Sequence, residues 1–304
     1  MLAPATLAIE RSAEMPWCAG LRIGDVSVSV QGCAGAELGA AMLAFEGNWG
    51  ACDIEVVAGR SPRILPLSSR SSFESGALWT LFRECNDYIF DFASTALGTT
   101  PYKRMRVDES FSRVHITLST EMLAQYGHLF PLEYPADELL ITNYLACHGL
   151  GVEVHGCGLI DAESGGYLFL GHSEAGKSTT TGMWKASRNP EVLSDDRIIL
   201  RLHDGELRMY GTPWHGEAGL ASPSKTKLSR IFVLQHGPRN EITAMTKAQA
   251  AGEVFARSFP PFHSALGLEH TLEFINRVLD VVPCYRFQFV PDESAVKAVL
   301  DFHD

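Results

Sequence analysis

A stretch in the second half of the chain, "GYLFLGHSEAGKSTT", combines residue types that bind phosphate. Gly171, Gly176, Lys177 and Ser178 fit the pattern G-x-x-x-x-G-K-S/T. Glycines let the backbone turn tightly enough for successive N–H groups to point at phosphate oxygens, and the following helix adds its positive N-terminus. Lys177 is expected to bridge the β- and γ-phosphates, and the Ser178 hydroxyl to hold Mg²⁺. The motif therefore predicts a nucleotide site.

The glutamate in this loop is unexpected. A carboxylate at position 174 would repel a γ-phosphate by about 1 kcal/mol at 4 Å in water. Because the loop binds phosphate through backbone N–H groups, the Glu174 side chain can point away, and we predict that it faces solvent or the acceptor. An exposed acid without a role is the alternative. We expect ATP to contact the whole loop and the start of the helix, which are Gly171, His172, Ser173, Glu174, Ala175, Gly176, Lys177, Ser178 and Thr179.

Two adjacent acids, Asp195 and Asp196, lie in the next predicted strand, "EVLSDDRIILRL". Beside a phosphate-binding loop, an acid at the end of a neighbouring strand holds Mg²⁺ or its water. Two acids permit two tasks, one near the metal and one accepting the proton of an attacking hydroxyl. The sequence does not decide which acid takes which task. Without the loop, such a pair would be read as a turn or a solvated strand end.

Together these motifs resemble the catalytic core of the HPr kinase/phosphorylase family, which is distantly similar to the nucleotide domain of ATP-dependent phosphoenolpyruvate carboxykinase. His155-Gly156 matches the family's His-Gly step, and residues 171–178 and 195–196 match its loop and its acid pair. The similarity covers roughly residues 145–235. It implies a kinase that uses ATP and Mg²⁺. The catalytic residues that it implies are His155, near the γ-phosphate, together with Lys177, Asp195 and Asp196.

The sequence also departs from that family. Glu174 stands where the family has glycine, and the segment "YGTPWHGEAGLAS" replaces the signature that follows the acid pair in HPr kinases. HPr is therefore not the expected substrate, and carboxykinases have far longer chains. Within this segment, Thr212, Trp214 and His215 suit the wall of an acceptor site, and Glu217 is a candidate second Mg²⁺ contact. A turn anchored by a buried tryptophan is the alternative.

Other charged residues leave alternatives open. A histidine on a strand is often a satisfied core residue, and His148 is a rival to His155, although it falls on the preceding predicted helix. His172 is read as an exposed loop position as well as a nucleotide contact. Arg239 or Arg257 could supply a positive clamp for the transferring phosphoryl group, and the sequence does not choose between them.

The elements that position these residues fall into two regions. Before about residue 120, period-two alternation ("DVSVSVQ") and two predicted hairpins, with turns near Asn86-Asp87 and at 108–110, indicate antiparallel strands. "PADELLITNYLACHGLG" reads as a helix, and strands and helices then alternate to the end. We predict an α/β (α+β) protein with a β-rich antiparallel N-terminal domain (1–133) and a P-loop kinase core with a mixed sheet and flanking helices (134–304).

Bulk composition limits the partners. The 304 residues are 46% hydrophobic and carry a net charge of −11, so a nucleic-acid partner is not expected. No basic leader opens the sequence, and no apolar run approaches the roughly 18–20 residues that span a bilayer. Seven scattered cysteines without a CxxC pair fit reduced thiols. We expect a cytoplasmic protein that does not bind membranes. The sequence does not reveal the oligomeric state, and a homo-oligomer is one option because HPr kinases, which it resembles, assemble as hexamers.

The sequence thus predicts Mg²⁺-dependent transfer of the γ-phosphoryl group of ATP to a hydroxyl. The acceptor is open between a serine of a protein or biosynthetic peptide and a small metabolite alcohol. The alternative is a regulatory protein that senses ATP or ADP without phosphoryl transfer, for which the phosphate-binding loop alone would suffice.

Overall fold

The structure is a computed structural model that describes residues 18–303 except 33–35, 48–49, 77, 95–97 and 125–129. Within these residues the chain forms two mixed sheets of eight strands each, joined by the segment between residues 119 and 151. The predicted α/β class is therefore confirmed. No helix in the described part of the chain is both long and apolar enough to cross a bilayer.

The first sheet is built from the N-terminal region. Its strands are β1 (Cys18–Ile23), β2 (Val26–Gly32), β3 (Ile54–Ser61), β4 (Phe73–Glu74), β5 (Trp79–Glu84), β6 (Asp87–Ser94), β7 (Gly98–Val107) and β8 (Arg113–Ser119). They lie in the order β1-β2-β3-β8-β7-β6-β5-β4. The alternating segment at 25–31 is β2, and both predicted hairpins exist, as β5–β6 and β7–β8.

This first sheet is mixed rather than antiparallel, which corrects the prediction. β3 runs parallel to both of its neighbours, β2 and β8. Parallel pairing requires a long connection between the strands. Here the chain passes through helix α1 (Ala40–Leu43) before β3 and through the β4–β7 meander before β8. A period-two pattern marks each strand but does not reveal which strands become neighbours.

The second sheet carries the predicted site. Its strands are β9 (Gly151–Asp161), β10 (Gly165–Leu170), β11 (Glu191–Ser194), β12 (Arg197–His203), β13 (Glu206–Tyr210), β14 (Lys225–His236), β15 (Glu241–Ala244) and β16 (Cys284–Phe289). They lie in the order β10-β9-β12-β13-β14-β16-β15, and β11 pairs with β9. Because β10 also pairs in parallel with β14, the path through β9, β12, β13, β14 and β10 closes on itself.

The strand predicted over "EVLSDDRIILRL" is interrupted at the acid pair. β11 ends at Ser194 and β12 begins at Arg197. β11 pairs with the second half of β9, whereas β12 pairs with its first half. Asp195 and Asp196 therefore lie at the bend where the chain moves from one half of β9 to the other.

Helices cover both faces of the parallel strands. They are α2 (Thr120–Leu123), α3 (Ala136–Cys147), α4 (Lys177–Ser187), α5 (Lys247–Phe255), α6 (Ala265–Val281) and α7 (Glu293–Leu300). Alternate residues of β14 face different layers: Ile231 packs in a core with α5 and α6, and Phe232 packs in a core with α4 and α7. This alternation is the period expected of a strand covered on both faces.

The two sheets share apolar contacts through α3. The core of the first sheet includes Leu140 and Leu145 of α3 together with Ile199, Tyr210 and Trp214 from the second half of the chain. A domain division at residues 133 and 134 stays a prediction.

A buried ion pair lies where the segment before α3 meets the first sheet. Lys103 on β7 is fully buried, and its Nζ lies 3.1 Å from Glu133 Oε1. Burial lowers the pKa of Lys103, and the charge of Glu133 opposes that shift. The ammonium therefore depends on Glu133 for compensation of its lost hydration.

We expect Glu133→Gln to lower the free energy of unfolding by about 3 kcal/mol, because it leaves a buried ammonium without its counter-charge. Lys103→Met is the matched control. It removes the buried charge and leaves the partly exposed Glu133 to water, so its effect should be much smaller. Urea unfolding followed by circular dichroism measures both. Equal losses for the two variants would contradict this account of the pair.

Candidate active site

The loop predicted to bind phosphate, residues 171–178, follows β10 and lies against the ends of two parallel strands. β10, β14 and β16 run in the same direction, so their carboxyl ends meet at one edge of the sheet. Gly176, before α4, has φ +97°, and a Cβ there would lie 2.5 Å from Cζ of Phe289 at the end of β16. Both the left-handed backbone and the contact with Phe289 require glycine at this position.

Glu174 adopts a left-handed backbone conformation, with φ +68°. Its side chain is exposed, as predicted, while its carbonyl oxygen lies 3.1 Å from Nε2 of His236 on β14. The loop therefore keeps a geometry that favours glycine even though a glutamate occupies the position, at a conformational cost of roughly 1–2 kcal/mol. The neighbouring His172 and Ser173 are exposed too, and so are Ser178 and Thr179 at the start of α4.

Lys177, the first residue of α4, is buried and points back over the loop. Its Nζ donates hydrogen bonds to the carbonyl oxygens of Gly171 and His172, both at 3.1 Å. The same Nζ lies 3.8 Å from Oδ1 of Asp196. Burial lowers the pKa of Lys177, and the negative charge of Asp196 opposes that shift. The structure thus brings together the lysine and one acid of the predicted pair.

His155 joins the same carboxylate. Its Nε2 lies 2.7 Å from Asp196 Oδ1, while Asp196 Oδ2 is paired with Arg197. Burial would raise the pKa of Asp196, but the hydrogen bond with His155 and the charges of Arg197 and Lys177 hold it below its ordinary value. Asp196 is therefore an ionised carboxylate shared by a histidine, a lysine and an arginine.

Arg197 was not singled out in the sequence, and it connects Asp196 to α3. Its Nε lies 3.0 Å from Glu138 Oε1 and 3.4 Å from Glu153 Oε1. Its guanidinium also stacks on Phe259, 4.1 Å from the ring centroid. Burial and the nearby charge of Glu138 raise the pKa of Glu153 well above its ordinary value. An arginine next to an acid pair was the only signal for this network, because Glu138 and Glu153 are distant in sequence.

Asp195 has different partners from Asp196. Its buried carboxylate accepts hydrogen bonds from the backbone N–H groups of Gly216, at 2.9 Å, and Ala218, at 3.1 Å. The exposed Glu217 lies between these two donors in the sequence. Two of the candidate metal ligands, Asp195 and Glu217, are therefore connected by the same pair of hydrogen bonds. Among the described residues, no group of three or more histidine, cysteine, aspartate or glutamate side chains is arranged to hold a metal ion.

The structure separates the two candidate arginines. The backbone carbonyl oxygen of Arg257 accepts a 2.6 Å hydrogen bond from the backbone N–H of His155. The backbone carbonyl oxygen of His155 in turn accepts a hydrogen bond from the N–H of Gly171 at 3.2 Å, so the backbone of Arg257 is one residue removed from the loop. The Arg257 side chain, which is 10% exposed, pairs with Glu253. Partial desolvation and the charge of Arg257 lower the pKa of His172. Arg239 is instead 73% exposed and pairs with Glu241.

The remaining histidine candidate also has a structural partner. His148 lies just after α3, with its Nε2 2.9 Å from the carbonyl oxygen of Ser110. It makes no described contact with Lys177 or Asp196.

The contacts of the segment 211–217 match the predicted turn anchored by a buried tryptophan. Trp214 is buried and donates from Nε1 to Asp137 Oδ2 at 2.7 Å, and the Thr212 hydroxyl donates to the Arg197 carbonyl oxygen at 2.8 Å. These contacts are those of an anchored turn. Pro213, Trp214 and His215 of this turn also line a cavity of about 620 Å³ whose lining includes Asp196, and the acceptor site itself stays a prediction.

The similarity of this chain to known proteins is distant and is found among solved structures. No protein-family model and no curated protein matches the sequence. Among solved structures, the chain is similar to the HPr(Ser) kinase/phosphatase from Coxiella burnetii, with 10% identity and a TM-score of 0.28, over 49% of this chain and 93% of the other. At this TM-score the similarity carries no argument about the site.

We expect Glu174→Gly to bind ATP within a few-fold of the unmodified protein or more tightly. It removes a charge near the phosphates and relieves the left-handed strain, so the stability should stay equal or rise by up to about 1 kcal/mol. Glu174→Gln, which removes the charge and keeps the strain, separates the two effects. Calorimetric titration with ATP and urea unfolding are the measurements. A tenfold loss of ATP affinity in Glu174→Gly would show that this carboxylate takes part in binding.

Proposed function

We propose that the protein is an ATP-dependent kinase that transfers the γ-phosphoryl group to a hydroxyl. One observation carries the proposal: the Lys177 ammonium and the His155 imidazole both reach the same oxygen of Asp196, at 3.8 and 2.7 Å. A phosphate-binding lysine and a paired acid and histidine at this spacing fit the needs of phosphoryl transfer, which are positioning and charge stabilisation.

In the proposed reaction the backbone N–H groups of the loop and Lys177 bind the β- and γ-phosphates. The acceptor oxygen attacks the γ-phosphorus, and the bond between that phosphorus and the β–γ bridging oxygen breaks, so that ADP leaves with the bonding electrons. The hydroxyl proton passes to Asp196. The products are a phosphate monoester, ADP and one proton.

The contacts of Asp196 suit it to the role of base better than those of Asp195. Asp196 lines the cavity and also contacts Lys177, whereas both Asp195 oxygens already accept backbone hydrogen bonds. The hydrogen bond with His155 orients the Asp196 carboxylate. As the reaction proceeds, Lys177 is drawn toward the phosphate and its charge no longer favours the ionised Asp196, which raises the affinity of that carboxylate for the proton.

The residues near the loop fit a magnesium ion. Mg²⁺ uses one or two carboxylates together with water and phosphate oxygens, so it does not need a cluster of three acids. The exposed hydroxyl of Ser178 at the start of α4 would be one ligand, and the other candidates are Asp195 and Glu217, which lies in the turn that is hydrogen-bonded to Asp195. When bound, the ion would neutralise charge on the phosphates.

The key variants are Lys177→Ala and Asp196→Asn, each of which should lower ADP formation at least about 100-fold. Lys177→Ala should also weaken ATP binding. Asp196→Asn should keep or improve it, because a negative charge near the phosphates is lost. Lys185→Ala, an exposed lysine on the same helix, is the matched control and should change neither. A coupled ADP assay and calorimetric titration with ATP and Mg²⁺ measure both properties.

If the protein binds ATP tightly without turnover, and Asp196→Asn leaves that binding unchanged, the kinase proposal is wrong and the protein is a nucleotide-sensing regulatory protein. Absence of ATP binding would exclude both.

For the positive clamp we expect Arg257→Lys to lower kcat at least about tenfold with little change in the KM for ATP. Lysine keeps the charge and the pairing with Glu253, but it lacks the planar fork that binds phosphoryl oxygens. Arg239→Lys, at the exposed site, should leave kcat unchanged. Steady-state kinetics, with melting temperatures as a check on folding, test the pair. Equal effects at both positions would remove Arg257 from the mechanism.

A further inference from the structure

The cavity beside Asp196 lies between the N-terminal region and the second sheet. Its volume is about 620 Å³, within the range of roughly 300–1,000 Å³ typical of small-molecule sites. Gly39 and Met42 line it from the α1 segment, Phe130 from the connecting segment, and Trp214 from the anchored turn. The cavity thus has largely apolar walls, and its lining includes Asp196, the carboxylate to which we assign the acceptor proton.

A second acid points to what this cavity binds. Asp137, in the first turn of α3, lines the cavity and is 2% exposed. Its Oδ2 accepts the hydrogen bond from Trp214, but its Oδ1 has no hydrogen-bond partner among the described residues. Burial raises the pKa of Asp137 to about 7. A buried carboxyl oxygen without a partner is destabilising unless a ligand group bonds to it.

The charges around the cavity favour a positively charged group at Asp137. Three acids line the cavity, namely Glu133, Asp137 and Asp196, together with two basic residues, Arg197 and His215. Glu133 is paired with Lys103, and Arg197 is shared among Glu138, Glu153 and Asp196. The charge of Lys103 opposes the raised pKa of Asp137, but none of the described salt bridges includes Asp137. An anionic ligand would meet a surplus of carboxylates, whereas an ammonium would supply the missing partner.

We propose that this cavity is the acceptor site and that it takes a small amino alcohol, whose hydroxyl lies at Asp196, whose ammonium bonds to Asp137 Oδ1, and whose apolar body packs on Phe130 and Trp214. The assignment of the hydroxyl to Asp196 rests on the proposed kinase function. The binding of the amine rests only on the cavity and Asp137. A small molecule suits this site better than a protein serine, because the second polar contact lies at the buried carboxyl of Asp137. A serine side chain that places its hydroxyl at Asp196 has no second polar group to bond to that carboxyl.

The binding test uses three probes with one phenyl group each: phenylalaninol (an amino alcohol), 3-phenylpropan-1-ol (neutral) and phenyllactate (anionic). Titration calorimetry without nucleotide should show phenylalaninol binding at least tenfold more tightly than the neutral alcohol, and phenyllactate most weakly. Asp137→Asn keeps an acceptor for Trp214 and removes the charge, so it should abolish the preference for the amine. Equal affinities, tighter binding of phenyllactate, or an unchanged preference in Asp137→Asn would overturn the proposal.

A cavity-filling variant guards against misfolding of Asp137→Asn. Gly39 lines the cavity, has φ −61°, and has nothing within 4 Å of a Cβ added there, so the variant Gly39→Leu fits without strain and is expected to narrow the cavity. It should weaken binding of both alcohols at least tenfold and leave ATP binding unchanged. Unaltered phenylalaninol binding in Gly39→Leu would place the amine elsewhere and overturn the proposal.

Transfer is tested separately from binding. Phenylalaninol should accelerate ADP formation and yield its phosphate ester, and a capped seryl tripeptide should not. If phenylalaninol still binds to Lys177→Ala and the unmodified protein does not turn over ATP, the kinase proposal is refuted. The proposed amine site is then still supported. Phosphorylation of the tripeptide but not of phenylalaninol would keep the kinase and overturn the amino-alcohol acceptor.

Discussion

The half-buried carboxylate of Asp196 is the constraint on which the site depends. An ionised carboxylate removed from water needs compensation. Asp196 obtains it from His155, Lys177 and Arg197, which come from β9, α4 and β12. Each partner is fixed by its own surroundings, and Arg197 is held in addition by Glu138 and Glu153. The contacts of this carboxylate therefore fix the loop, the sheet and α3 relative to one another.

The second sheet brings these side chains together because β9 and β14 each pair with more than two other strands. The first half of β9 pairs with β12, and its second half pairs with β10 and β11. The chain must therefore bend between β11 and β12, and the acid pair lies at that bend. The two acids have different partners as a result: Asp195 accepts hydrogen bonds from the turn at 216–218, and Asp196 lies 3.8 Å from the lysine. The bend thus distinguishes two acids that the sequence could not tell apart.

The N-terminal region contributes a wall of the cavity through the α1 segment. Trp214 connects this region to the site, since it packs in the core of the first sheet and donates to Asp137. The shape of the cavity therefore depends on how the N-terminal region packs against the second sheet. Ligand sites commonly form at such junctions, because two packed units leave a cleft that neither encloses alone.

Local pattern determined the elements and the loop. Period two predicted β2, turn residues predicted the two hairpins, and the glycine–lysine spacing with an apolar strand before it predicted a tight turn entering α4, because these features depend on neighbours in sequence. Tertiary structure decided the parallel pairs of β3, the break at Asp195, the approach of Arg257 rather than Arg239 to the loop, and the network of Arg197 with Glu138 and Glu153. These depend on which distant segments become neighbours when apolar surfaces are buried, and a single sequence does not encode that choice locally.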